Sequence, residues 1–149
     1  MTGLNHVATG AVIGLVVKEP ALALPLAFLS HFVLDSLPHY GIVYAERHKY
    51  PSFRRVLGAD SVLTPVFVLS LFLITGSWVV FGCMMLAIAP DFVWFIKFGH
   101  DKYKKRDFIL PRDAFSKFHK KIQWGERPWA WRLDMIWFAL ALVVISRLI

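Results

Sequence analysis

The chain has 149 residues, of which 57% are hydrophobic, and a formal net charge of +7. One domain accounts for that length, but the apolar fraction exceeds the roughly 45–50% of an ordinary soluble domain. Because the apolar residues are concentrated in long runs, the composition argues against a soluble globular domain and against a nucleic-acid-binding protein. We predict a membrane protein.

The apolar runs predict an all-α, multi-pass bundle of about five membrane helices, forming a single domain over residues 1–149. A spanning helix needs about 20 residues. The fourth and fifth runs reach that length, the second and third approach it, and the first is shorter. The predicted helices cover residues 4–17, 21–37, 61–75, 78–96 and 129–148.

Most Lys and Arg residues lie in two segments, 44–55 and 97–132. The first segment follows the second predicted helix and the other follows the fourth, so both lie on one side of the membrane if every helix spans. The positive-inside rule makes that side the cytoplasm. We therefore expect a multi-pass membrane protein with a cytoplasmic N-terminus and with membrane lipids as partners.

Residues 112–124 predict an amphipathic interfacial helix between the fourth and fifth membrane helices. Phe115, Phe118, His119 and Ile122 fall on one arc at helical spacing, and lysines occupy the rest of the circumference. An aromatic belt at the next membrane entry is indicated by Trp124, Trp129 and Trp131.

The stretch LSHFVLDSLPHYG, residues 29–41, carries three side chains that can bind metal. His31 and Asp35 are four residues apart, so a helix presents them on the same side. Pro38 disfavours helix at the preceding residue, which places His39 on the turn that follows. Other ionisable residues at the predicted cytoplasmic helix ends are His6, Asp60, Asp91, His119 and Asp134.

This concentration of His and Asp at one depth predicts a functional site, because an ionisable group inside a membrane costs roughly 2.5–3.5 kcal/mol. Imidazole and carboxylate ligands favour a divalent metal, zinc first, with manganese or iron as alternatives. The predicted ligands are His6, His31, Asp35 and Asp91. We assign His39 and His119 as catalytic acid/base groups or further ligands, since imidazole titrates near neutral pH.

Three structural alternatives stay open for these residues. Asp60 is well placed to cap the third predicted helix, and Asp134 to pair with Arg132. His31 and Asp35 can also form a hydrogen-bonded structural pair.

On the first helix, Gly10 and Gly14 continue a stripe from His6. Such glycines let membrane helices approach closely, which would turn His6 inward.

Two stretches carry a family resemblance. NHVATGAVIG, residues 5–14, and LSHFVLDSLPHYG resemble bacterial inner-membrane proteins classed as membrane-bound, metal-dependent hydrolases. In that family the Pro-Asp motif precedes the S-H-x-x-x-D helix, whereas here it follows it. The H-x-x-x-D spacing is more weakly similar to helices of zinc-dependent phospholipase C. The matching residues are His6, Ser30, His31, Asp35, Pro90 and Asp91.

The resemblance implies a metal-dependent hydrolase in a bacterial-type inner (plasma) membrane, and we expect an ester or phosphoester substrate at the cytoplasmic leaflet. The basic loops favour an anionic amphiphile. Two other functions remain open: a transporter or proton relay, and a non-catalytic scaffold with a buried polar cluster. A transporter requires polar groups through the full membrane depth.

Overall fold

A computed structural model describes residues 1–42, 50–103 and 113–149, with the helical backbone alone over 94–103. Six α-helices occupy most of these residues, so the prediction of an all-α fold is confirmed. Parts of the predicted basic segments, residues 44–49 and 104–112, lie outside the described residues. The helices are α1 (Gly3–Val16), α2 (Pro20–Ser36), α3 (Pro51–Thr75), α4 (Trp78–Tyr103), α5 (Ala114–Ile122) and α6 (Trp131–Leu148).

Two helices are longer than the apolar runs that predicted them. α3 begins at Pro51 rather than at residue 61, and α4 continues to Tyr103 rather than ending at residue 96. Backbone hydrogen bonding continues through the polar residues that interrupt the apolar pattern. Proline at the first helical position of α3 is compatible with helix, because its missing N–H would have no partner there. α2 ends at Ser36, as the proline at position 38 predicts.

Two helical segments in the described part of the chain are long and apolar enough to cross a membrane, Pro51–Thr75 and Pro128–Leu148. α1, α2 and Trp78–Val93 of α4 are shorter apolar helices. Only 17% of the most apolar stretch of the first segment is buried, and 22% of the second. These two helices therefore differ from the mostly buried core helix of a soluble protein.

α1 is the central helix, and α2, α3, α4 and α6 pack around it. A Cβ atom at Gly10 would lie 2.5 Å from the Cys83 carbonyl oxygen, and one at Gly14 would lie 2.8 Å from Val80 Cα. The α1 and α4 backbones are thus in direct contact, and the predicted role of the glycine stripe is confirmed. His6 on the same stripe is fully buried.

A two-residue parallel pair of strands, absent from the sequence prediction, joins two connecting segments. β1 (His39–Tyr40) follows α2, and β2 (Glu126–Arg127) follows α5 and a short 3-10 turn. A Cβ atom at Gly125 would lie 2.6 Å from the Leu37 carbonyl oxygen, so a larger residue would separate the segments. This pairing fixes the end of α5 against the end of α2.

Candidate metal centre

Four side chains with metal-binding atoms converge where α5 meets the end of α2. His31 and Asp35 come from α2, Asp91 from α4 and His119 from α5. One ligand atom from each residue lies within 4.8 Å of the others. Three of the side chains are fully buried, while Asp91 is 21% exposed. The group can hold a metal ion.

The separations between the donor atoms suit one small cation. His31 Nε2 lies 3.0 Å from His119 Nε2 and 3.3 Å from Asp35 Oδ2. His119 Nε2 and Asp35 Oδ2 are 2.8 Å apart. Asp91 Oδ1 lies 3.7 Å from His31 Nε2 and 4.0 Å from His119 Nε2. Neighbouring ligand atoms of a tetrahedral zinc ion are about 3.4 Å apart, from Zn–N and Zn–O distances near 2.1 Å. The five observed separations lie on both sides of that value.

A backbone contact sets the tautomer of His31. Its Nδ1 lies 2.8 Å from the carbonyl oxygen of Ala87 on α4. Because a carbonyl accepts and cannot donate, Nδ1 carries the proton and Nε2 of the neutral ring presents a lone pair to the other donors. Metal-binding histidines are commonly oriented by such a hydrogen bond from the second ring nitrogen.

The Asp35 carboxylate has different neighbours at its two oxygens. Oδ2 faces the two imidazoles of the four-residue group and accepts a hydrogen bond of 3.0 Å from Gln123 Nε2. Oδ1 faces α1, where it contacts the amino group of Met1 and lies 3.2 Å from His6 Nε2. Asp35 therefore links the four-residue group to the beginning of α1.

His6, a predicted ligand, lies beside the group rather than within it. Its ring stacks on His31 with a centroid distance of 4.0 Å and an interplanar angle of 19°. Neither ring nitrogen makes a hydrogen bond to another described residue, although both are buried. His6 and Asp35 are close, but the hydrogen-bond geometry is poor. The structure thus brings His31, Asp35 and Asp91 together with His119 and places His6 behind His31.

His39 is buried on β1, outside the four-residue group. Its Nδ1–H donates a hydrogen bond of 2.8 Å to the Leu37 carbonyl. Burial lowers the pKa of His39 from 6.5 to about 4, and the positive N-terminus acts in the same direction. The imidazole is therefore neutral at neutral pH, and its unprotonated Nε2 can accept a hydrogen bond or a proton.

Gln123 is a site residue that the sequence prediction missed. It lies in the 3-10 turn after α5, four residues beyond His119, and its Nε2 approaches His119 Nε2 to 3.4 Å as well as bonding Asp35. Amides are common at helix ends, so composition did not distinguish it. The available signal was its i+4 spacing from His119 on the predicted amphipathic helix.

Two carboxylates have roles other than those expected from sequence. Asp60 lies within α3 and does not cap that helix; it accepts hydrogen bonds from the backbone N–H groups of Gly3 and Leu4, at 2.8 and 2.9 Å. It therefore caps α1 from a neighbouring helix. Asp134 accepts a bond of 3.4 Å from the Tyr40 N–H, while the Arg132 guanidinium lies 5.6 Å from the Trp131 ring centroid.

Comparison with known proteins finds no match to any family model, any curated protein or any solved structure. The hydrolase resemblance therefore remains an expectation from short motifs.

The geometry of the four-residue group permits two arrangements. In the first, the N–H group at His119 Nε2 donates a hydrogen bond shared by Asp35 Oδ2 and His31 Nε2. In the second, a divalent cation binds one donor atom from each of the four residues.

Proposed function

We propose that this protein is a membrane-embedded, metal-dependent hydrolase that cleaves an ester or phosphoester bond of an anionic amphiphile at the cytoplasmic leaflet. The observation that carries the proposal is the buried convergence of His31, Asp35, Asp91 and His119 from three helices. Two carboxylates this close repel each other, and burial adds a desolvation cost. A divalent cation compensates both effects, so the donor set fits zinc, manganese or iron.

We assign different roles in such a site to the individual residues. His31 and Asp35 are held by Ala87 and Gln123, so they arrive preoriented as ligands. Asp91 is the partly exposed member, which marks the α4 side as the direction from which substrate reaches the group. A bound divalent metal supplies Lewis acidity and lowers the pKa of its water to about 7. His39, a neutral imidazole on the adjoining strand, is our candidate to accept a proton.

A lipid environment is supported by the outer surfaces of α3 and α6. Large apolar side chains there are mostly exposed, while the buried interior holds the His and Asp residues. That arrangement matches a bundle solvated by lipid, where large apolar side chains face outward and ionisable groups face the interior. Examples that are more than half exposed are Val62, Leu69, Leu73, Ile74, Met135 and Val143.

A transporter is less well supported than a hydrolase. A path for ions or protons needs polar groups along its length. In the described residues, the two clusters of buried hydrophobic residues extend from Ala87, which contacts His31, to Ala11 and Val80 further along the bundle. The polar layer is therefore confined to one end, as expected for a site rather than a pathway.

A structural polar cluster is the second candidate function, because the two shortest separations in the group are also ordinary hydrogen-bond lengths. A scaffold of this kind binds no metal and needs the four side chains for stability. Metal content separates it from the hydrolase.

Elemental analysis of the purified full chain tests the proposal. We expect about one equivalent of divalent metal in the wild type, loss of that metal in His31→Ala and Asp91→Asn, and retention in Asp60→Asn, which keeps one of the two capping oxygens. Wild type should hydrolyse bis(4-nitrophenyl) phosphate or 4-nitrophenyl butyrate and lose this activity with EDTA. Metal retained by His31→Ala refutes the assigned site, and stoichiometric metal without hydrolysis of either probe refutes the hydrolase.

A further inference from the structure

The two sides of α5 have different chemistry. Ser116 and His119 are buried against the bundle. The opposite side is exposed and carries three lysines, with large aromatic residues at its edges: Phe118 is 52% exposed and Trp124 just beyond the helix is 65% exposed. We call Lys117, Lys120 and Lys121 with these two aromatic residues the lysine face.

We propose that the lysine face docks on the anionic headgroup surface of the bilayer, and that this docking holds His119 and Gln123 in the metal centre. Metal affinity then depends on anionic lipid. The inference deepens the proposed function and rests on it, since it concerns regulation of the same site.

Charge complementarity identifies the partner. The sequence of α5, AFSKFHKKI, contains no acidic residue, and its N-cap carboxylate, Asp113, bonds Ser116. A lysine near an anionic membrane surface strengthens binding by about fivefold. Exposed Phe and Trp beside lysines are typical of helices that lie in the headgroup region. An extended anionic surface matches three lysines better than one small anion does.

The link to the site follows from the helix geometry. His119 lies on the side of α5 opposite the lysine face and contacts Asp35 at 2.8 Å; Gln123 contacts the same carboxylate oxygen at 3.0 Å. α5 itself packs on α2, where the Phe32 ring lies 6.3 Å from that of Phe115 and 5.6 Å from that of Phe118. Because α5 is short, docking that fixes this helix on the bilayer surface also fixes the positions of His119 and Gln123.

The test compares zinc affinity in nanodiscs of phosphatidylcholine alone and of phosphatidylcholine mixed with phosphatidylglycerol. Anionic lipid also concentrates Zn²⁺ near any bilayer, so matched variants are needed. Lys120→Gln/Lys121→Gln removes two charges from the lysine face. Lys18→Gln/Arg147→Gln removes two exposed charges near the far ends of α1 and α6, and serves as the control.

We expect phosphatidylglycerol to tighten zinc binding by wild type and by the control variant more than binding by Lys120→Gln/Lys121→Gln, by up to about 25-fold, or about fivefold for each lysine removed. Equal tightening in all three proteins reflects concentration of Zn²⁺ at the surface and overturns the proposal.

Amide hydrogen exchange of α5 in the metal-free protein separates this inference from the metal site. Phosphatidylglycerol should slow exchange of Ala114–Ile122 in wild type and in the control, and not in Lys120→Gln/Lys121→Gln. If no protein binds zinc, the proposed function and the metal coupling both fail, while this lysine-dependent protection still reports docking. Lipid-independent exchange, or the same protection from soluble inorganic phosphate in phosphatidylcholine discs, refutes docking on the bilayer.

Discussion

The two halves of the helical bundle differ in the chemistry of the groups buried in their interior. Where α1 begins and α2 ends, the interior holds imidazoles and carboxylates, including His6, His31 and Asp35. Further along α1, Gly10 and Gly14 lie directly against the backbone of α4 near Cys83. Both regions are buried and both use α1 as the centre. One is filled by close apolar packing and the other by groups that are costly to bury.

The difference indicates that the apolar half stabilises the fold, whereas burial of the polar half contributes little to stability. Backbone contact at the glycines provides packing without desolvating any polar group. The polar half gains little from burial, because desolvation of its charges offsets their mutual attraction. Substitutions in the apolar half should therefore change the free energy of unfolding, and those in the four-residue group should change metal affinity.

Metal removal should have the largest effect. A ligand that binds the folded state at about a thousand times its dissociation constant stabilises by roughly 4 kcal/mol. We expect EDTA to lower the unfolding temperature of the wild type in detergent by a corresponding amount, and to leave that of Asp91→Asn unchanged. A wild-type melting curve that is insensitive to EDTA after metal loading would favour the purely hydrogen-bonded cluster.

Gly10→Ala should be the most destabilising small substitution in the apolar half. The new Cβ would lie 2.5 Å from the Cys83 carbonyl oxygen, which belongs to backbone and cannot rotate away. Overpacking of this kind costs about 1–3 kcal/mol, measured by thermal unfolding with metal affinity unchanged. Gly58→Ala is the control, since nothing lies within 4 Å of its new Cβ and alanine favours helix. Equal stability of the two variants would contradict the packing.

Gln123→Met should weaken metal binding about tenfold, the lower end of the effect of losing a group that supports a metal ligand. Methionine preserves side-chain length but cannot donate to Asp35 Oδ2. Isothermal titration of metal into the purified variant measures the loss, with Ser146→Ala as the control, since the Ser146 hydroxyl bonds the Val143 carbonyl within α6. Unchanged affinity in Gln123→Met would show that Asp35 is oriented without the amide.

Asp60→Ala should have the smallest effect, about 1 kcal/mol of unfolding free energy, as for other lost helix caps. The backbone N–H groups of Gly3 and Leu4 would lose their acceptor. Chemical denaturation measures the change, and Asp60→Asn should recover part of it, because the amide keeps one of the two capping oxygens. A loss of metal from Asp60→Ala with normal stability would instead connect this carboxylate to the site.

The sequence was sufficient for the helical class and for the His31–Asp35 pair because both follow from local patterns. Apolar runs indicate helices whatever their neighbours, and the i+4 spacing of His31 and Asp35 places them together on any helix. The glycine stripe likewise predicted close approach on the side of His6. Helix ends were less accurate: α3 extends back to Pro51 because helical hydrogen bonds do not stop where hydropathy does.

Tertiary structure decided which residues meet across the chain. Spacing shows nothing about the distance between α2 and α5, so only the fold places His119 beside Asp35, brings in Gln123 and leaves His6 stacked behind His31. Asp60 illustrates the same limit, since it resembles a cap for its own helix but bonds α1 across the bundle. A sequence pattern reports the direction of a side chain from its own helix; the partner depends on how the helices pack.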